Sequence, residues 1–472
     1  MGNFHTTVSR RDFIKGLGLA GAGLGAASLV APQFQDLDEL SSAGTHTQLD
    51  WWVKERDHEN PTTGIDWNVL KPYDSNIHTP LPSATGPGGP ALSLERKVRQ
   101  LDGALNNWPG STLRDLALDG ATGGNYSSNQ KWNGAGGTRP EQRTDGTRPG
   151  PNKWTASPED NLATCRAAAH FYGSPSVGAI EITPNIKKLF DVNVKWADID
   201  EGTYDEGTKI YTIPNKCKWV LVWMTKQNYK YNQYITRNDP NDPWPYKVFR
   251  QGKAGENQAY SHGPQIRYQV NRFLTGLGYQ CLKPSATSNV QFGVMSGCVE
   301  MGRAAMSLHP RWGLMTRYAD WAITDLPLAP SKPIDSGVHT FCYDCMTCAK
   351  VCPSQCQSLD REPSWETRSI RNNPGLETWY LDWAKCHEWG GPWDCVACQT
   401  ACPYNHTPEA AIHDIVRAVA GNTSVFNGFF ATMEDQFAYN RQLSDEEHYD
   451  WWYRDLRTWK YDTMLGFGNQ EW

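Results

Sequence analysis

Apolar spacing divides the chain into an irregular front, a regular middle and an aromatic end. Val177-Gly-Ala-Ile-Glu-Ile182 and Lys218-Trp-Val-Leu-Val-Trp-Met-Thr225 are short apolar runs rich in β-branched and aromatic residues, which predicts two buried strands. Helical spacing of apolar positions over 159–171 and 257–277 predicts two helices beside them, and shorter helical patterns cover 92–105 and 413–419. Residues 184–216 are polar and turn-rich and read as an insertion. Before 158 the chain is punctuated by Gly, Pro and Asn, with loops at 79–90 and 134–140, so it is expected to wrap a core built elsewhere. Helix and strand alternating from 158 onward predict an α/β sandwich within an α+β whole. The aromatic run 449–459 reads as a cover over that core.

Past residue 340 the informative pattern is cysteine spacing. Cys342-x2-Cys345-x2-Cys348-x3-Cys352-Pro353 is the bacterial ferredoxin run, in which three thiolates hold one [4Fe-4S] cube and the fourth reaches the other. Cys386-x8-Cys395-x2-Cys398-x3-Cys402-Pro403 brings the ligand count to eight, enough for two cubes. The crossed pattern assigns Cys342, Cys345, Cys348 and Cys402 to one cluster and Cys352, Cys386, Cys395 and Cys398 to the other. Structural zinc and disulfides also use such cysteines, but neither accounts for two Cys-Pro endings. Cys165, Cys217, Cys281, Cys298 and Cys356 are left over, scattered, and expected to be free buried thiols.

Ser9-Arg10-Arg11-Asp12-Phe13-Ile14-Lys15, followed by a Gly-, Ala- and Leu-rich stretch, has the pattern of a twin-arginine export signal, with cleavage expected after Ala31 or Ala43. That route carries folded chains, which suits clusters inserted before export. No other segment approaches the roughly 20 apolar residues of a membrane span. A net charge of −6 without a basic tract argues against nucleic acid as a partner. Tryptophan is the compositional outlier at 21 residues, enough to fill cores and still line an apolar pocket.

Further motifs lie between 260 and 341: Phe273-x4-Gly278-Tyr279, Glu300-Met-Gly-Arg303, His309-Pro-x2-Gly313-x3-Arg317, Thr324-Asp-Leu-Pro-Leu328, and Lys332-Pro-Ile-Asp335 before Phe341-Cys342. With the export signal and the cysteine runs, they make the chain from residue 9 onward resemble the reductive dehalogenases, the corrinoid and iron-sulfur enzymes of organohalide respiration. The resemblance implies a nitroreductase-like α/β sandwich that binds cobalamin base-off, followed by a ferredoxin-like domain with two [4Fe-4S] clusters. None of the 12 histidines stands in the D-x-H-x-x-G frame of His-ligated corrinoid binding. The expected domains are a signal and the start of the mature chain at 1–43, a wrapping segment at 44–157 and a cobalamin-binding core at 158–340. A two-cluster domain at 341–410 and an aromatic cover at 411–472 follow.

Carried over residue by residue, the family's proton donor falls on Tyr260 and its cationic neighbour on Arg317. A phenol with a pKa near 10 is a reluctant acid until a guanidinium stabilises the phenolate, and arginine itself releases no proton. Asn289 is the nearest amide to the family's pocket asparagine, although the spacing between Gly278 and Gly293 departs from the pattern. The Trp-rich loop 389–393 either lines the pocket or shields a cluster. The implied reaction replaces a carbon-bound halogen with hydrogen, using two electrons passed through the clusters to a Co(I) corrinoid. The implied partners are a halogenated organic substrate, a small membrane-anchor protein and a respiratory electron donor, at the outer face of the cytoplasmic membrane. Two other readings remain open from sequence: a corrinoid-free two-cluster electron carrier of an exported respiratory complex, and an epoxyqueuosine reductase-like enzyme, against which the export signal and acidic balance count.

Overall fold

The computed structural model describes residues 49–78, 94, 98, 102–112, 132–134, 139–142, 152–234, 250–284, 289–387, 395–405, 411–437 and 443–458. The export pattern, the loop 79–90, the Trp-rich loop 389–393 and most of the segment 92–101 lie outside them.

Helix α1 (Pro158–Phe171) starts where Ser157 caps the Asp160 N–H and Pro158 takes the first turn. Strand β1 (Val177–Glu181) follows. Within residues 184–216, β2 (Val194–Ala197), β3 (Thr203–Asp205) and β4 (Ile210–Pro214) form a small sheet in the order β2-β4-β3. Its side chains Val194 and Ile213, with Ile186 and Phe190 from the turn before it, join the main core. A few apolar residues at alternating positions are enough to bury one face of a short sheet, even within a polar composition.

Strand β5 (Trp219–Lys226) is the centre of the molecule. It pairs antiparallel with β1 on one side and with β6 (Thr316–Thr324) on the other. Alternation along β5 sends Val220, Val222 and Met224 to one core, shared with helix α3 (Val290–Met295), and Leu221 and Trp223 to the other. The second core is closed by α1 and the long helix α2 (Arg250–Leu277), through Leu162, Ile266, Val270 and Leu274. Trp223 and Trp321 are completely buried, one in each core. Each such side chain contributes roughly 2–3 kcal/mol. The sheet is antiparallel throughout, so the core is an α+β arrangement with helices on both faces.

Helices α4 (Val338–Cys345) and α5 (Thr347–Lys350) carry the first cysteine run and α6 (Ala397–Thr400) part of the second. Helices α7 (Ala411–Asn422) and α8 (Asn427–Phe437) pack against α4. The front of the chain crosses the whole assembly, with Lys54–Glu55 pairing with Ile334–Asp335 and Gly64–Ile65 with Leu376–Glu377. Near the end, Trp451 packs with Tyr231, Tyr234 and Ala254 at the start of α2.

Candidate active site and cluster ligands

All 13 cysteines are free thiols, and nine of them gather in two neighbouring groups. Cys345 and Cys402 are buried in one apolar cluster, with Cys342 and Cys348 packed against it. Cys352 and Cys356 are buried in a second, with Cys386 against it, and Cys395 and Cys398 face both Cys352 and Cys356. The helix carrying the first run breaks at Met346, whose left-handed backbone (φ 53°) separates Cys345 from Cys348.

Burial pushes the Cys342 and Cys395 thiols up to about 12. Burial and the neighbouring Cys342, Cys345, Cys398 and Cys402 hold Cys348 far above its ordinary value. Thiols so placed become thiolates only when a cationic centre supplies the missing charge, which is the condition an iron-sulfur site meets. Among the described residues no three His, Cys, Asp or Glu side chains converge on a single-ion point.

The second group contains one thiol more than a cube needs. Cys356 lies with its Sγ 3.3 Å from that of Cys352 and also reaches Cys386. Sequence reasoning set it aside because it falls outside the ferredoxin spacing.

Tyr260 and Arg317 meet. Arg317 Nη2 donates to the Tyr260 hydroxyl, and its guanidinium carbon lies 4.3 Å from the centre of that ring. Two backbone irregularities set this contact. In β6, Thr316 pairs with Lys226 and Tyr318 with Thr225, so Arg317 is the extra residue of a β-bulge, a device that re-aims a side chain. In α2, Pro264 has no N–H to donate to the Tyr260 carbonyl one turn back. Arg317 also donates through Nη1 to Gln399 Oε1 at 3.3 Å, and Gln399 follows Cys398 directly. The phenol is thus one guanidinium away from the second cysteine group.

A chloroethene reductive dehalogenase of Dehalococcoides mccartyi is 31% identical to this chain, with 96% of this chain and 98% of that protein covered. The chain belongs to the reductive dehalogenases. A trichloroethene reductive dehalogenase from another strain of that species is 29% identical over 95% of this chain and 97% of its own length. The tetrachloroethene reductive dehalogenase of Sulfurospirillum multivorans is 29% identical over 50% of this chain and 45% of its own length. A solved catabolic reductive dehalogenase superposes with a TM-score of 0.53 at 16% identity, covering 83% of this chain. This dehalogenase spans 49% of that solved chain, and the likeness is one of fold. No family model matches the sequence.

Two of the sequence motifs, those of Arg303 and Gly313, lie where the sheet core meets the cysteine stretches. Arg303, 1% exposed, donates to the carbonyls of Cys342, Ser358, Asp360 and Arg361 and stacks 4.7 Å from the Trp379 ring. Its peptide N–H lies 3.5 Å from Cys342 Sγ, the kind of contact that tunes a cluster. Gly313 (φ 56°) docks on Tyr404 and Asn405 just past the second Cys-Pro, so closely that any Cβ would collide with both. Asn405 Oδ1 in turn accepts the Leu314 N–H at 2.8 Å.

A cavity of about 560 Å³ opens beside the second cysteine group. Ile65, Leu189, Val294 and Met295 line it from the front segment and the core, while Ala305 and Trp383 separate it from Cys352 and Cys356. Its size and apolar walls are those of a cofactor or ligand pocket. Asn289 stands at the entrance of α3 but is not among the residues of that wall. Its Oδ1 accepts from Lys283 Nζ at 3.1 Å and Trp321 Nε1 at 2.9 Å. Lys283 also pairs with buried Asp320, which Arg267 of α2 holds at 2.6 Å.

Proposed function

We propose that this protein replaces a carbon-bound halogen of a small organohalide with hydrogen: R–X, two electrons and one proton give R–H and halide. The observation that carries the reading is the Tyr260–Arg317–Gln399 contact, which sets a proton donor beside the second cysteine group. Cys342, Cys345, Cys348 and Cys402 would hold one [4Fe-4S] cluster, and Cys352, Cys386, Cys395 and Cys398 the other. A bound corrinoid supplies the low-potential cobalt centre at which the carbon–halogen bond is broken. One solved relative is described as B12-dependent, and another is in complex with 3-bromo-4-hydroxybenzoic acid. The apolar cavity beside Cys352 and Cys356 suits part of a corrinoid held base-off in a nitroreductase-like core with a ferredoxin-like cluster domain.

Tyr260 is the proton donor. Arg317 holds the hydroxyl in place and stabilises the negative charge left when the proton departs, a role open to a residue that stays charged at any working pH. The two cysteine groups would hold clusters that supply one electron at a time. The similarity to chloroethene and trichloroethene dehalogenases over the whole chain favours chlorinated ethenes as substrates. The Ser9–Lys15 pattern supports twin-arginine export, with work at the outer face of the cytoplasmic membrane beside a small membrane-anchor protein and a respiratory electron donor. Among the described residues no helix is long and apolar enough to cross a membrane.

The test is anaerobic turnover of trichloroethene with a reduced viologen as electron source. Release of chloride with the less chlorinated ethene supports the reading. Cofactor-loaded protein that leaves chlorinated ethenes, chloroalkanes and halogenated phenols all intact would overturn it.

A further inference from the structure

The proposed reaction leaves a halide ion in a buried site lined by an arginine, and this raises a problem of release. A guanidinium removed from water attracts any small anion strongly, because the low local dielectric magnifies the charge. Arg317 has a side chain only 15% exposed, so bare it would trap the product.

It is not bare. Glu256 lies on α2 one turn before Tyr260 and is 3% exposed. Its Oε1 lies 2.5 Å from Arg317 Nη2, the same nitrogen that serves the Tyr260 hydroxyl. Its Oε2 accepts from Lys253 Nζ at 2.8 Å, another turn toward the start of α2. One carboxylate therefore lies between the two cations, with each oxygen engaged by a different one. Among the described residues of the facing stretch, Cys395 lies within electrostatic reach of Glu256.

We propose that Glu256 is the built-in counter-ion of Arg317, occupying the position a halide would otherwise take. Glu256 is a positioning residue: it acts through Arg317, holding the guanidinium against Tyr260 while denying it to the leaving anion. The inference rests on the reading of Arg317 as part of the active site, and it adds a role for the carboxylate in product release. Removing the charge of Glu256 takes one negative charge away from between Lys253 and Arg317, and a small anion is expected to be drawn to its place.

The test is bromide binding to the anaerobic, cofactor-loaded enzyme, measured by titration calorimetry, together with bromide inhibition of turnover. Glu256→Gln, which keeps the size and an acceptor oxygen but loses the charge, should bind bromide at least about tenfold more tightly than the parent. Its turnover should become bromide-sensitive by the same factor, with KM for the organohalide little changed. Equal bromide affinity in parent and Glu256→Gln would overturn the proposal. If Glu256→Gln does not load its cofactors, the shorter pair decides: Glu256→Asn should bind bromide more tightly than Glu256→Asp, and equal affinities sink the idea. Calorimetry needs no turnover, so the inference fails independently of the reaction: a parent that dehalogenates nothing removes the proposed function, while the bromide difference still reports on the counter-ion.

Discussion

In the proposed reaction Tyr260 is the residue on which the chemistry turns. A lone tyrosine in a helix is usually a packed side chain, and only its contact with Arg317 sets this one apart. Tyr260→Phe removes one oxygen and keeps the ring, so iron and cobalt contents should stay at parental levels while turnover falls by about 10²–10⁴, the usual worth of a positioned proton donor. Metal analysis beside a halide-release assay checks it, and near-normal turnover refutes the assignment. Cys356 tests the cluster assignment from the other side. On the proposed assignment of Cys352, Cys386, Cys395 and Cys398 to one cluster, Cys356→Ser should keep eight irons per chain, the count of two [4Fe-4S] clusters. Loss of about half the iron would put Cys356 in the ligand set.

Glu300 of the Glu-Met-Gly-Arg motif gives a prediction in pH. Burial raises its carboxyl to about 7 from 4.5, although Ser336 and Thr62 donate to it. The folded chain thus holds this proton more tightly than the unfolded one. The resulting stability is complete below about pH 4.5 and is lost as pH rises through about 7, a swing of roughly 3 kcal/mol. Glu300→Gln should flatten the dependence of melting temperature on pH across that window and exceed the parent in stability at pH 8. A variant whose curve parallels that of the parent contradicts the account.

At the scale of elements, the two irregularities that aim Tyr260 and Arg317 trade regular structure for geometry. Pro264→Ala restores the helix bond to the Tyr260 carbonyl and removes a helix-interior proline worth up to about 3 kcal/mol. The variant is expected to melt higher and turn over more slowly, both read on the same preparation. A variant that is no more stable and fully active would show that the proline does not set the position of Tyr260. Strands β1 and β5 and helix α1 were legible because their apolar runs are short, dense and well bounded. Strand β6 was not, because Asp320 interrupts its apolar pattern, and only Arg267 and Lys283, brought from other elements, make that carboxylate tolerable inside. The small sheet of residues 194–214 was hidden by its polar composition, and the β-bulge at Arg317 exists only in the pairing with β5. Glu256 carried no signal either, since its partner Arg317 meets it only in the folded chain.

For the whole molecule, the sequence motifs mark a junction. Arg303, Gly313 and Gly337 touch the cysteine stretches or the helices behind them, fixing the core to those stretches. The front segment strengthens that junction, pairing once beside residue 335 and once beside residue 377. The core can then serve as the proton-delivering half and the cysteine stretches as the electron-delivering half, with Arg317 reaching from one to the other. The measurement that tests this most directly is the ratio of cobalt to iron in anaerobically purified, cofactor-loaded protein. One cobalt for about eight irons, the content of one corrinoid and two [4Fe-4S] clusters, is the predicted result. Eight irons without cobalt would leave a two-cluster electron carrier and contradict the account.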